Sequence, residues 1–102
     1  MGKDLNYAML LDCYGDLLTD KQRDIMQLYY YEDLSLSEIA ENEGITRQGV
    51  SDNIRRAESK MKLWEEDAGF CENFVRLKEL ALIAQKGDKT AIKEMINIID
   101  NL

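Results

Sequence analysis

Between Leu34 and Met61 the chain carries two helical patterns separated by one glycine, and no other feature limits the fold as much. Ser35-Leu36-Ser37-Glu38 has the form of a capping box, in which the serine hydroxyl accepts from the third helical amide and the glutamate reaches back to the serine amide. The helix it opens turns Leu36, Ile39 and Ala40 inward and stops at Gly44, where a left-handed C-cap is expected. Thr46 then starts a second helix whose apolar residues Val50, Ile54, Ala57, Met61 and Trp64 recur at spacings of four, three, four and three. Ile39, Ala40, Ile45, Val50 and Ile54 have the sizes and positions to form a small core between the two helices. This is the pattern of a helix-turn-helix, whose second helix can enter a nucleic-acid groove.

The flanking sequence is helical too. Tyr7, Leu10, Leu11, Tyr14 and one of Leu17 or Leu18 predict an amphipathic helix over 4–17, weakened near its end by Gly15. Thr19 to Gln22 forms another capping box, and the helix after it places Ile25, Leu28 and Tyr29 on one face. Tyr29, Tyr30 and Tyr31 cannot share a face, so at least one belongs at the rim with its hydroxyl toward water. Glu65 to Gly69 reads as a break, with the acidic run as a solvated helix end. Beyond it Phe70, Phe74, Leu77, Ala81 and Ala84 predict a fifth helix, and Asp88 caps a sixth that turns Ile92, Met95, Ile96 and Ile99 to a core. The expected architecture is all-α, one domain over 1–102, with a helix-turn-helix core at 18–63 and a C-terminal helical hairpin at 68–102. The stripe from Val50 to Trp64 exceeds what groove insertion needs, so its last turns must pack on the C-terminal helices or on a second subunit; a homodimer is one expectation, with Trp64 as an anchor.

Composition narrows the function. The chain has no proline, no histidine and only two cysteines, Cys13 and Cys71, which form no C-x-x-C pair. A zinc site is therefore not expected, and the thiols read as buried and free. No glycine-rich phosphate loop or nucleophile–base pairing is present, so neither catalysis nor a cofactor is expected. No apolar run reaches the roughly 20 residues of a membrane span, and MGKDLNYAM lacks the pattern of a signal peptide; the expected location is the cytoplasm.

The formal charge of −7 is unevenly spread. Residues 46–63 hold Arg47, Arg55, Arg56, Lys60 and Lys62 against only Asp52 and Glu58, while the segments on either side are acidic. Arg47 and Gln48 stand at the start of the second helix, where such motifs read base edges, and Ser51 follows on the same side. Arg55 and Arg56 are candidates for phosphate contacts. Lys60 and Lys62 read as partners of Glu58 and Glu66 along the helix. Asp52 repels phosphate unless it accepts from a cytosine or orients a neighbouring arginine, and Gly49 costs the helix about 1 kcal/mol relative to alanine unless a close approach requires it.

The run LTDKQRDIMQLYYYEDLSLSEIAENEGITRQGVSDNIRRAESKM resembles region 4 of bacterial sigma factors, through T-x-x-Q-R at Thr19 to Arg23, S-L-S-E-I-A at Ser35 to Ala40 and G-I-T-R-Q-G-V at Gly44 to Val50. That resemblance implies a winged-helix-like DNA-binding fold, here without a wing. No segment matches the domain that reads the promoter −10 element, so a complete sigma factor is not expected. Over its full length, LLDCYGDLLTDKQRDIMQLYYYEDLSLSEIAE included, the chain resembles the YlxM family of stand-alone region-4-like proteins. The resemblance implies a regulatory or accessory role with the signal recognition particle, through its RNA or its proteins. The motif itself implies a DNA-binding transcriptional regulator acting through Arg47, Gln48, Ser51, Arg55 and Arg56. A third reading is an acidic adaptor that meets a basic protein through Asp20, Asp24 and Glu32.

Overall fold

A computed structural model describes residues 5–102, and its described residues form six α-helices without a strand. These are α1 (Leu5–Tyr14), α2 (Asp20–Tyr30), α3 (Leu36–Glu43), α4 (Arg47–Ala68), α5 (Phe70–Gln85) and α6 (Lys89–Asp100). None is long and apolar enough to cross a membrane. Two compact units are present, one ending at Trp64 and the other running from Glu65 to Leu102, so that α4 contributes its last turn to the second.

In the first unit local sequence sets the helix ends. α1 stops at Tyr14, earlier than its apolar spacing implies, and Gly15–Leu17 tightens into a 3₁₀ turn. That turn buries Leu18 and leaves Leu17 in water, which resolves the ambiguity between them. Asp4, the first residue of the expected helix, lies outside the described residues. Both capping boxes form: Thr19 Oγ1 accepts from the Gln22 amide at 3.2 Å and Ser35 Oγ from the Glu38 amide at 3.1 Å, with Gln22 and Glu38 returning the bond. Asp33 takes a left-handed conformation between α2 and α3, which a short polar side chain tolerates. Gly44 adopts φ 67°, and the Gly44 and Ile45 amides both close on the Ala40 carbonyl.

The core of this unit contains Leu11, Tyr14, Leu18, Ile25, Met26, Ile39, Ala40, Val50, Ile54, Ala57 and Met61. Its α2 face is turned by one position from the expected one. Met26 is buried beside Ile25, whereas Leu28 and Tyr29 are half-buried. Tyr31 is the rim tyrosine, yet its hydroxyl donates to Asp12 of α1 and not simply to water. Partial burial first, and then the bond to Asp12, push that phenol above its ordinary range. Burial of Val50, Ile54, Ala57 and Met61 inside the unit leaves that stripe no free edge for a second subunit. Trp64 packs on Tyr14 of α1, with ring centroids 6.1 Å apart, so it anchors α1 to α4.

The second unit departs further from expectation. α4 runs without interruption through the acidic run, and the break narrows to Gly69 at φ 64°. Glu65 is no mere solvated end. Its two carboxylate oxygens accept from the Cys71 and Glu72 amides at 2.9 and 3.0 Å, closing the open first turn of α5. Asp88 caps α6 as expected, accepting from the Thr90 and Ala91 amides. The apolar faces do not match. Cys71, Leu80 and Ala91 are buried, while Phe70, Phe74, Ala81, Ile92, Ile96 and Ile99, expected in a core, are exposed; Leu77, Ala84 and Met95 are half-buried. Of the two thiols only Cys71 is buried, and Cys13 is half-buried; neither is in a disulfide.

Candidate nucleic-acid interface

The start of α4 is fixed by Thr46, whose hydroxyl accepts from the Gly49 amide at 2.9 Å. That cap also accounts for Gly49. A Cβ there would stand 3.2 Å from Thr46 Oγ1 and 3.6 Å from Ile45 Cδ1, so the small residue lets the threonine close over the helix end. Gly49 falls in the first turn, where the cost of glycine is smaller than in a helix interior. Asn53 donates to the Gly49 carbonyl at 2.8 Å and is occupied within the helix. Arg47 and Gln48 follow the cap directly and are exposed; Ser51 is half-buried one turn further on, and Arg55 and Arg56 are exposed beyond it.

Asp52 organises this face. Its Oδ1 accepts from Gln48 Nε2 at 3.0 Å and from Arg55 Nη2 at 3.2 Å, so one carboxylate holds two of the five candidate side chains. An aspartate that orients an arginine and an amide answers the charge objection to its place on a phosphate-facing helix. The bonds are exposed and exchangeable, and surface pairs of this kind contribute roughly 0–1 kcal/mol, so Gln48 and Arg55 are pre-positioned rather than locked. Arg47 and Arg56 make no ion pair among the described residues.

The five candidates do not form one patch. Arg47, Gln48 and Ser51 border a depression of about 360 Å³ with Leu36 of α3. Arg55 and Arg56 border a larger one of about 720 Å³ with Asp52, Ser59, Lys60 and Gln22 of α2. The Asp52 bonds to Gln48 and Arg55 join the two. Lys60, read in the sequence as a partner within its own helix, reaches across to Gln22 Oε1 at 3.1 Å. Among the described residues Gln22 is the one buried polar side chain of the first unit, and the same oxygen serves the capping box of α2. Ser59 and Lys60 are the residues that sequence reasoning passed over. Spacing held a signal for them, since each lies four positions beyond an arginine of the candidate set. The Gln22 contact spans 38 positions and had no local signal.

Elsewhere in the first unit Lys21 donates to the Glu43 carbonyl at 3.3 Å, placing a cation at the C-terminal end of α3. Near it Asp24, Glu32 and Glu43 line a shallow acidic depression with Gln27 and Asn42. Within the first unit this acidic depression shares no lining residue with the two that the cationic side chains of α4 border.

A helix-turn-helix is the motif by which one protein family is described. The model of UPF0122, the YlxM / p13-like family for which a helix-turn-helix is proposed, matches residues 1–101. The chain belongs to this family. A UPF0122 protein of Thermoanaerobacter sp. is 47% identical over 92 residues, covering 90% of this chain and 72% of the relative. One from Acetivibrio thermocellus is 44% identical over 90 residues, covering 88% and 77%. One from Halalkalibacterium halodurans is 38% identical over 104 residues and covers 100% of this chain and 95% of its own length.

Proposed function

We propose that this protein is a DNA-binding regulator whose α4 enters the major groove of duplex DNA. Arg47, Gln48 and Ser51 meet base edges at the leading end. Arg55 and Arg56 meet the phosphates that flank the groove, with Lys60 extending that contact. The observation that supports this reading most is the exposed, threonine-capped start of α4 carrying Arg47 and Gln48 between flanking segments of net negative charge. Arginine matches guanine and glutamine matches adenine through paired hydrogen bonds, each contributing about 1–3 kcal/mol of discrimination. Asp52 keeps Gln48 and Arg55 extended along one edge until a base or phosphate replaces it. The acidic remainder of the chain weakens non-specific attachment, which leaves sequence-dependent contacts a larger share of the affinity.

Binding across a salt series to duplex DNA, and to a structured RNA such as that of the signal recognition particle, tests the reading. DNA binding should fall steeply with salt, and the Arg47→Ala, Arg55→Ala double variant should lose it. Arg56→Ala alone should lower the salt slope by about one at every sequence. A double variant that binds DNA as the parent does overturns the assignment. Stronger binding to the RNA moves the role toward that particle, as the family resemblance implies, because the deep narrow groove of A-form RNA does not admit a helix.

A further inference from the structure

We infer that the C-terminal hairpin of α5 and α6 is a self-association surface, and that its occupant is the same face of a second copy of this chain. The inference is independent of any nucleic-acid role. Within the hairpin Leu80 and Ala91 are buried, and Leu77, Ala84, Met95 and Ile98 are half-buried; these mark the strips along which α5 and α6 meet. Successive residues advance about 100° around a helix. On α5, Phe70, Phe74 and Ala81 therefore lie roughly a quarter turn to one side of the meeting strip, and Arg76 lies a similar angle to the other side. On α6, Ile92, Ile96 and Ile99 flank their strip on one side and Glu94 on the other. Arg76 Nη2 and Glu94 Oε2 are 3.0 Å apart, which brings those two flanks together. The phenylalanine and isoleucine flanks consequently share the opposite side of the hairpin.

The centre of that side is apolar, with Gln85 and Lys78 of α5 at its edge. Ile92, Ile96 and Ile99 are 47, 54 and 54% exposed, and Phe70 and Phe74 are 42 and 48% exposed, their rings stacked with centroids 6.4 Å apart. At about 100 Å² for each half-exposed large side chain, the five leave roughly 500 Å² of apolar surface in water. A standard interface takes about 800 Å² from each partner, and roughly 65% of a homodimer interface is apolar, which comes to a similar area. An isolated unit below about 40 residues seldom holds its fold without a disulfide, a metal or an oligomeric contact. The unit Glu65–Leu102 is of that size, and its cysteine, Cys71, forms no disulfide. Two identical apolar faces related by a two-fold axis are complementary to each other.

Sedimentation equilibrium of the full chain at micromolar concentrations tests this. The parent should show twice the 11.8 kDa chain mass, with dissociation on dilution. Ile96→Glu should weaken association by at least about 100-fold, since each copy would bring a carboxylate into the apolar contact. Phe74→Glu, on the other helix, should do the same. Leu82→Glu, farther round α5, should leave the dimer intact, and all three variants should keep the parent's helical circular dichroism. A parent that stays monomeric, or a dimer that survives both Ile96→Glu and Phe74→Glu, overturns the proposal.

Discussion

The two units of this molecule are built from similar helices, yet they use their apolar residues in opposite ways. In the unit ending at Trp64, residues from four helices converge, and Ile25, Met26, Ile39, Val50, Ala57 and Met61 are sealed from water. In the hairpin two helices meet along one strip, and nine of the thirteen large apolar side chains exposed among the described residues belong to it. Two helices have one mutual contact line, so any second apolar flank is left outside unless something else covers it. A helix can therefore be strongly amphipathic and still not show, from its own sequence, which flank faces its neighbour.

The contrast is sharpest in the response to truncation. Ile39→Ala should destabilise the first unit by about 2–5 kcal/mol, because Ile39 is wholly enclosed and the cavity can only partly collapse. Ile96→Ala should cost less than about 1 kcal/mol in dilute protein, with its effect read instead in self-association. Urea denaturation of both variants at low concentration makes the comparison. Equal losses would break the distinction between a closed core and an open face.

A smaller effect separates helix ends from cores. Gly44→Ala meets no atom within 4 Å, so its whole cost is the left-handed backbone, about 1–2 kcal/mol. Ser35→Ala, which opens the capping box of the same helix, should cost about 1 kcal/mol. Thermal midpoints read both. A Gly44→Ala variant as stable as the parent would mean that the turn re-forms in another conformation.

The smallest effect is a pH dependence. The Ser35 amide, and secondarily its hydroxyl, hold the Glu38 carboxyl below the usual carboxylate range. Folding therefore favours the ionised form. Its contribution is complete above the unfolded-state value and disappears as pH falls through the lower folded one. Glu38→Gln should remove that limb from an acid titration of stability, lowering stability slightly near neutrality without adding any pH dependence there. An identical acid limb in parent and variant would assign it to other carboxylates.

Much of the first unit was legible because its signals are local. A capping box occupies four consecutive residues, the turn needs one glycine, and the stripe from Val50 to Met61 repeats within one helix. The candidate face of α4 was legible for the same reason, since a buried stripe assigns the remaining positions to solvent. Its organisation was not. That Asp52 holds Gln48 and Arg55 together depends on rotamers, and that Lys60 reaches Gln22 depends on how α2 crosses α4. Glu65 shows the same limit, for an acidic run after a long helix reads equally well as a solvated end and as a cap for the next one.

By itself the sequence determined six helices, the caps of α2, α3 and α6 and the cationic helix between acidic flanks, because hydrogen-bonding competition and apolar spacing act over a few residues. Only the tertiary structure decided which flank of each C-terminal helix is covered, how the cationic side chains are grouped, and where the long stripe of α4 finds its partners. Those outcomes depend on helices distant in sequence competing for the same apolar surface, and spacing along one helix carries no record of that competition.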